Sequence, residues 1–259
     1  MPSPPASFSA ERRVVLLTGA TRGIGLRLSQ RFVACGDAVV AVGRDQAALD
    51  GLAAELGPEN VLARRCDVTD EAQVAALVDG LERVDVLVNN AGVSESAPLH
   101  RTTLDSWNAQ MAVNALGPFL ATRAVIRPMR ERGAGRIVTV ASTAGKVGVP
   151  YTAAYTASKH AALGLMRVAA AELAGTGATS NAVCPTFVDT PMTQRSVARI
   201  AERTGRSAQD SEAALASASP LGRLLAADEV AEAVIWLASE AAAAINGQAL
   251  VLDGGGLQA

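Results

Sequence analysis

Cysteine, histidine and aromatic side chains are what this 259-residue chain has least of. Its three cysteines, Cys35, Cys66 and Cys184, are odd in number, far apart and without CxxC spacing. That excludes a disulfide framework and a cysteine zinc site, so no metal is expected and a reduced, cytoplasmic protein is the default. There are two histidines. His100 falls in a loop, and His160 has no carboxylate partner in the pattern, which leaves little for a Ser-His-Asp hydrolase. No uncharged apolar run reaches the length of a membrane span. Excess positive charge is missing as well: 23 Lys and Arg stand against 25 Asp and Glu, which argues against nucleic acid or an anionic membrane as partner. The start, MPSPPASFSAERR, is Pro/Ser-rich without the apolar stretch of a signal peptide, so residues 1–10 are expected to form a flexible tail. No internal repeat is visible.

What the chain does have is small and branched apolar residues, with 49% hydrophobic content and 23 glycines. That is enough for one sizeable α/β core, and 259 residues do not require a second domain. Short apolar runs alternate with helical patterns. Strands are expected at 14–18, 38–43, 61–66, 84–89, 135–142, 178–184 and 248–254. The helices between them include a long one over about 104–131 and another over about 153–174. Strands apolar throughout and separated by helices indicate a parallel sheet covered on both faces. With right-handed crossovers, the expectation is a single doubly wound, Rossmann-type α/β domain over 11–259 with a mostly parallel seven-stranded sheet.

The stretch TGATRGIG (18–25) follows the first strand and opens the first helix. Gly19, Gly23 and Gly25 remove side chains where backbone must approach a pyrophosphate, and the helix N-terminus supplies N–H groups. A tight strand-to-helix turn also needs glycine, but the position at the head of a βαβ unit favours a dinucleotide. A P-loop is excluded because GxxxxGK is absent. The second strand ends at Gly43 and is followed by Arg44, where NAD sites usually carry a carboxylate. Arg44 and Arg22 suit a 2′-phosphate instead, so NADP(H) is expected over NAD(H). The bland reading is two solvated arginines.

In YTASK (155–159), Tyr155 and Lys159 are four apart and share one helical face. An ammonium close to a phenol stabilises the phenolate and lowers the tyrosine pKa, which suits proton transfer to a carbonyl. Ser142 closes the fifth strand, at the end of the sheet where ligands bind, and its hydroxyl suits a substrate oxygen. Tyr151 is expected to line the cleft or cover the helix entrance. Ser158 and His160 are read as lying off the catalytic face. Asn114 precedes Pro118 by four, so its carbonyl loses its helical N–H partner and the helix should kink. A carbonyl freed in this way can hold a water leading from Lys159 to solvent.

In order along the chain stand TGATRGIG, CDVTD (66–70), NNAG (89–92), Asn114, Ser142, YTASK, NAVCPTFVDTPM (181–192) and a terminal DGGG. Together they resemble the short-chain dehydrogenase/reductase family over nearly the whole chain. Within it, ASTAGKVG (141–148) and NAVCPTFVDTPM look most like 3-oxoacyl thioester reductases and aromatic polyketide ketoreductases. The resemblance implies that Asp67 contacts adenine, residues 89–92 line the ribose side, Lys159 holds the nicotinamide ribose, and Val188 and Thr190 lie near the carboxamide. It also implies a water relay at Asn114. The cofactor contacts expected in full are Gly19, Thr21, Arg22, Gly23, Ile24, Gly25, Arg44, Asp67, Val68, Asn90, Ala91, Gly92, Tyr155, Lys159, Pro185, Val188 and Thr190. The catalytic residues expected are Asn114, Ser142, Tyr155 and Lys159. One departure is Thr186, where the family usually has glycine, and its Cβ is expected to narrow the nicotinamide pocket.

Residues 189–226 form a polar insertion, read as a substrate lid. Arg195, Arg199, Arg203 and Arg206 recur at helical spacing. Such a face is usually solvated; the sharper reading is a receptor for an anionic acyl carrier. Helix 153–174 and the stretch VAEAVIWLASEAAA are apolar on most faces, so a second subunit is expected to cover them, giving a homo-oligomer, a tetramer or dimer. The function expected is NADPH-dependent reduction of a ketone, a 3-oxoacyl thioester or a relative of one. The alternatives are an NAD-dependent hydroxyacyl or secondary-alcohol dehydrogenase, and a catalytically silent nucleotide-binding partner subunit.

Overall fold

The structure is a computed structural model that describes residues 8, 9 and 11–258. Of the tail expected over 1–10, all but Phe8 and Ser9 lie outside the described residues; Phe8 packs against the core.

Seven parallel strands form one sheet in the order β3-β2-β1-β4-β5-β6-β7. They are β1 Val14–Thr18, β2 Ala38–Gly43, β3 Val61–Arg65, β4 Val86–Asn89, β5 Gly135–Val140, β6 Ala178–Pro185 and β7 Ala249–Leu252. Alternate residues of each strand serve opposite faces. Val15 and Leu17 join a core with Leu28 and Phe32 of α1 (Gly23–Ala34), Leu49 of α2 (Gln46–Leu56) and Val234 of α9 (Ala227–Leu237). Val14 and Leu16 join a second core with Val74 of α3 (Glu71–Asp79) and Val125 and Met129 of α5 (Gly117–Arg132). A third cluster sets Leu163 and Met166 of α6 (Ala153–Leu173) against Ala182 and Cys184 of β6.

The chain reverses its direction of travel across the sheet at β1, which pairs with β2 on one side and β4 on the other. In such sheets the crevice beyond the carboxyl ends of the strands at this switch point receives ligands. The expected long helix is in fact three pieces: α4 (Leu104–Met111), a π-helical turn over Ala112–Leu116, and α5. The wide turn stands where a kink at Pro118 is expected. The polar insertion over 189–226 contains α7 (Pro191–Thr204) and α8 (Ala208–Ala216). No helix among the described residues is long and apolar enough to cross a membrane.

Candidate active site

The tips of β1 and β4 are stitched together by side chains. Thr18 Oγ1 donates to the Val88 carbonyl and accepts from the N–H groups of Asn90 and Ala91, both at 3.0 Å. Asn90 Nδ2 donates to the carbonyls of Thr18 and Gly19 at 2.9 and 3.0 Å. Gly19 has φ 68°, and a Cβ on it would stand 2.9 Å from Ala91 Cα. A Cβ on Gly25 would stand 1.9 Å from the Gly19 carbonyl oxygen. The turn therefore requires these glycines for its own packing. It also fits a dinucleotide, because α1 starts with no side-chain cap from Arg22 and no acid in its first turn, which leaves its N–H groups for an outside anion. Gly23 faces the Thr190 side chain, so the 188–192 segment closes over this turn. Ile24 packs partly into the core, and Thr21 is half-buried.

Beyond β2, the Arg44 guanidinium is largely exposed and lies 3.9 Å from the Asp67 carboxylate. Asp67 is held below the usual carboxylate range, first by the Thr69 N–H, against a smaller opposing effect of burial. Arg22 is exposed, and Val68 sits over Gly117. Val188 is a core residue, and its carbonyl accepts from Thr193 Oγ1 at 2.6 Å. The Thr186 N–H donates to the Leu252 carbonyl, continuing the β6–β7 pairing.

Ser142, Tyr155, Lys159, Asn114 and Gly92 converge past β4 and β5. Ser142 Oγ accepts from the Ala144 N–H at 3.1 Å, approaches the Pro185 carbonyl at 3.5 Å, and hydrogen-bonds Tyr155. Lys159, 5% exposed, donates to the Val140 carbonyl at 2.9 Å, with Nζ 5.7 Å from the centre of the Tyr155 ring. A Cβ on Gly92 would lie 3.4 Å from Asn114 Oδ1 and 3.8 Å from Lys159 Nζ.

The electrostatics differ from the sequence-based expectation. Burial pushes the Tyr155 phenol above its ordinary value, and the Ser142 hydrogen bond offsets only part of that. Burial also brings Lys159 down to about 8. The phenol sits in a crevice with protein on most sides, and desolvation is the largest effect on it. At neutral pH Tyr155 keeps its proton, the form needed to protonate a carbonyl oxygen.

Ser158 belongs to this cluster. It is fully buried; its hydroxyl donates to the Tyr155 carbonyl at 2.7 Å and accepts from Asn114 Nδ2 at 3.0 Å. Asn114 also exchanges two hydrogen bonds with the main chain of Val93. Its side chain is thereby committed, and only its carbonyl, which lacks an i+4 N–H because of Pro118, suits a water.

On α7, Arg199 pairs with Glu95 at 3.7 Å and Arg203 donates to the Ser96 carbonyl at 3.3 Å. Half of the arginine face is therefore tied to the 93–98 loop. Arg195 and Arg206 are exposed and form no ion pair among the described residues. Tyr151 is 66% exposed and at φ 66°, and its carbonyl accepts from the Ala97 N–H at 2.8 Å. His160 Nδ1 contacts the Thr156 carbonyl. No cluster of metal-ligating residues exists among the described residues.

The family described as short chain dehydrogenase matches residues 13–201. The chain belongs to that family. It is an oxidoreductase of the dehydrogenase/reductase type, and a nicotinamide cofactor suits its glycine turn. This short chain dehydrogenase is 38% identical over 256 residues to D-threitol dehydrogenase of Mycolicibacterium smegmatis, covering 96% of this chain and 94% of the relative. It is 39% identical over 255 residues to the granaticin polyketide synthase putative ketoacyl reductase 1 of Streptomyces violaceoruber, covering 95% and 94%. Among solved structures, an actinorhodin polyketide ketoreductase with NADPH aligns at TM-score 0.89 and 38% identity, covering 96% of this chain and 98% of the other.

Two residues of the dehydrogenase's site escape sequence reasoning. Ser158 is three from Tyr155, and residues three apart are neighbours on a helix; that signal was available. Gln110, 2% exposed, bonds both main-chain groups of Glu95. Nothing in its local pattern marks it.

Proposed function

We propose that this short chain dehydrogenase is an NADPH-dependent carbonyl reductase acting on a 3-oxoacyl thioester or related ketone. The observation that carries the reading is the convergence of Ser142, Tyr155 and Lys159 beside Gly92 at the switch point of the sheet. When bound, the cofactor supplies the hydride. Tyr155 holds the proton destined for the carbonyl oxygen, and Ser142 hydrogen-bonds that oxygen and stabilises its developing charge. Lys159 grips the nicotinamide ribose and keeps a positive charge near the phenol. Asn114 presents its carbonyl to a water through which the proton on Tyr155 is replaced. The glycine turn with Thr21, Ile24, Asn90 and Ala91 cradles the pyrophosphate and ribose, Asp67 and Val68 flank adenine, and Pro185, Val188 and Thr190 border the carboxamide.

Arg44 and Arg22 receive the 2′-phosphate. Charge-assisted pairs of this kind support an expected rise in the KM for NADPH of about ten- to a hundredfold in Arg44→Ala, with NADH use nearly unchanged. Steady-state assays with both cofactors test it; an equal effect on the two would remove the NADP(H) preference. The likeness to D-threitol dehydrogenase favours a second reading, oxidation of a secondary alcohol by the same residues. Wild-type preference for NAD with polyols, and no turnover of 3-oxoacyl thioesters, would select it.

The protein is a homo-oligomer in this reading. Leu104 and Trp107 of α4, Phe119 of α5, Val168 of α6 and Trp236 of α9 remain exposed, apolar surface that a second subunit would cover. Light scattering after size exclusion is expected to give two or four times the chain mass; a monomer at micromolar concentration would refute it.

A further inference from the structure

The segment after Gly92 lies outside the seven-stranded sheet, and the alternation of its main-chain hydrogen bonds marks it as locally extended. Two buried side-chain amides, one helical turn apart, stand in for that strand. Asn114 accepts from the Val93 N–H and donates to the Val93 carbonyl, both at 2.9 Å. Gln110 accepts from the Glu95 N–H at 3.1 Å and donates to the Glu95 carbonyl at 3.3 Å. The Ala97 N–H then reaches the Tyr151 carbonyl at 2.8 Å, and Ala97 bridges Thr152. Residues 93, 95 and 97 thus direct their main-chain groups toward α4, the π turn and the start of α6.

In an extended chain, the main-chain groups of successive residues point to opposite sides. Residues 94 and 96 therefore address the other side, toward the lid. Ser96 does so, since its carbonyl accepts from Arg203 of α7 at 3.3 Å. Ser94 lies between Ser96 and Gly92 on that side. It is half-buried, and neither its N–H nor its carbonyl has a partner among the described residues. A donor and an acceptor set side by side on an open strand edge are what an extended amide pairs with in strand addition.

We infer that the main chain of Ser94 is a substrate-docking edge that pairs with a secondary amide of the ketone's carrier arm. The inference rests on the carbonyl-reductase reading and deepens it by specifying the substrate class. Two residues of extended chain separate Ser94 from Gly92, a span of about 7 Å. In a 3-oxoacyl thioester of a cysteamine-type arm, about six bonds separate the ketone carbon from the amide nitrogen, roughly the same span. Arg203 occupies the next position along the edge and limits how far the arm runs under the lid.

The test compares two ketones that differ in the amide: the S-ethyl thioester of acetoacetate and its N-acetylcysteamine thioester. With wild-type enzyme and saturating cofactor, the amide-bearing thioester is expected to show a KM about five- to tenfold lower, at similar kcat. Ser94→Pro removes the N–H and keeps the preceding residue extended, so it should erase most of that advantage while leaving the S-ethyl KM in place. Ser94→Ala, which keeps the main chain, should preserve it. An N-methylated amide, unable to donate to the Ser94 carbonyl, should lose the advantage on the unmodified enzyme, a readout that does not depend on the folding of any variant. Equal KM values for the two thioesters in wild type, or Ser94→Ala as damaging as Ser94→Pro, overturns the inference. Turnover of neither thioester overturns the carbonyl-reductase reading, and the docking edge with it.

Discussion

Tyr155→Phe is expected to lower kcat for ketone reduction by about a thousandfold, within the usual range for a positioned acid. Phenylalanine keeps the ring that packs beside Lys159 and removes only the hydroxyl. Ser142 remains, but its hydroxyl already approaches the Pro185 carbonyl and accepts from the Ala144 N–H, so it is poorly placed to replace the proton donor. Water is a weak substitute because the phenol lies in a crevice whose desolvation holds its pKa above the ordinary value. Cofactor affinity should change by less than about twofold, because the Lys159 contact with Val140 does not involve the hydroxyl. Steady-state kinetics with fluorescence titration of NADPH gives both numbers. A variant that retains a tenth of the wild-type kcat would remove Tyr155 from the proposed mechanism.

Lys159→Met is expected to be nearly inactive and more stable than the wild type at pH 7. The ammonium is buried, and its pKa falls from 10.5 to about 8 on folding. Below about pH 8 both the folded and the unfolded chain carry the proton, so the whole cost of burying the charge is present. Between about 8 and 10.5 the unfolded chain binds more protons than the folded one, and stability rises with pH as the cost is relieved. The shift corresponds to about 3 kcal/mol. Methionine fills a similar volume without charge but leaves the Val140 carbonyl unpaired, a loss of about 1 kcal/mol. The net gain of roughly 2 kcal/mol should raise Tm by about 5 °C at pH 7 and shrink toward zero or below by pH 10.5. Calorimetry across that window tests it; a variant less stable at pH 7 would show that the ammonium contributes more than its burial costs. In the wild type, reduction should decline above about pH 8 as Lys159 loses its charge.

The strands were legible because each carries a short, mostly apolar run, and all seven begin and end within two residues of the expected bounds. Tyr155, Lys159 and Ser142 were legible because a helical repeat and a strand end are local features, and their convergence followed from the doubly wound order. The sign of the phenol's shift was not legible, since it depends on how much protein surrounds the ring. The π turn was hidden as well: Pro118 announces a missing N–H, but whether a helix kinks or widens is decided by what it packs on. The arginine face was visible, yet its partners Glu95 and Ser96 lie about a hundred residues upstream, and no local pattern connects them.

The widened turn at Ala112–Leu116 has a bearing on how this scaffold tolerates length changes. It holds one residue more than an α-helical turn would, and the Gly117 N–H reaches back to the Ala112 carbonyl. Deleting a single residue there would let the segment close to a uniform α-helix while α4 and α5 kept nearly the same relative phase, because five residues of the wide turn sweep roughly the angle of four α-helical ones. Gln110 would then stay on the side that faces Glu95. The turn is thus the one stretch of this wall that absorbs a lost residue, whereas the same deletion within α4 or α5 would rotate one part of the cleft wall against the other by about 100°.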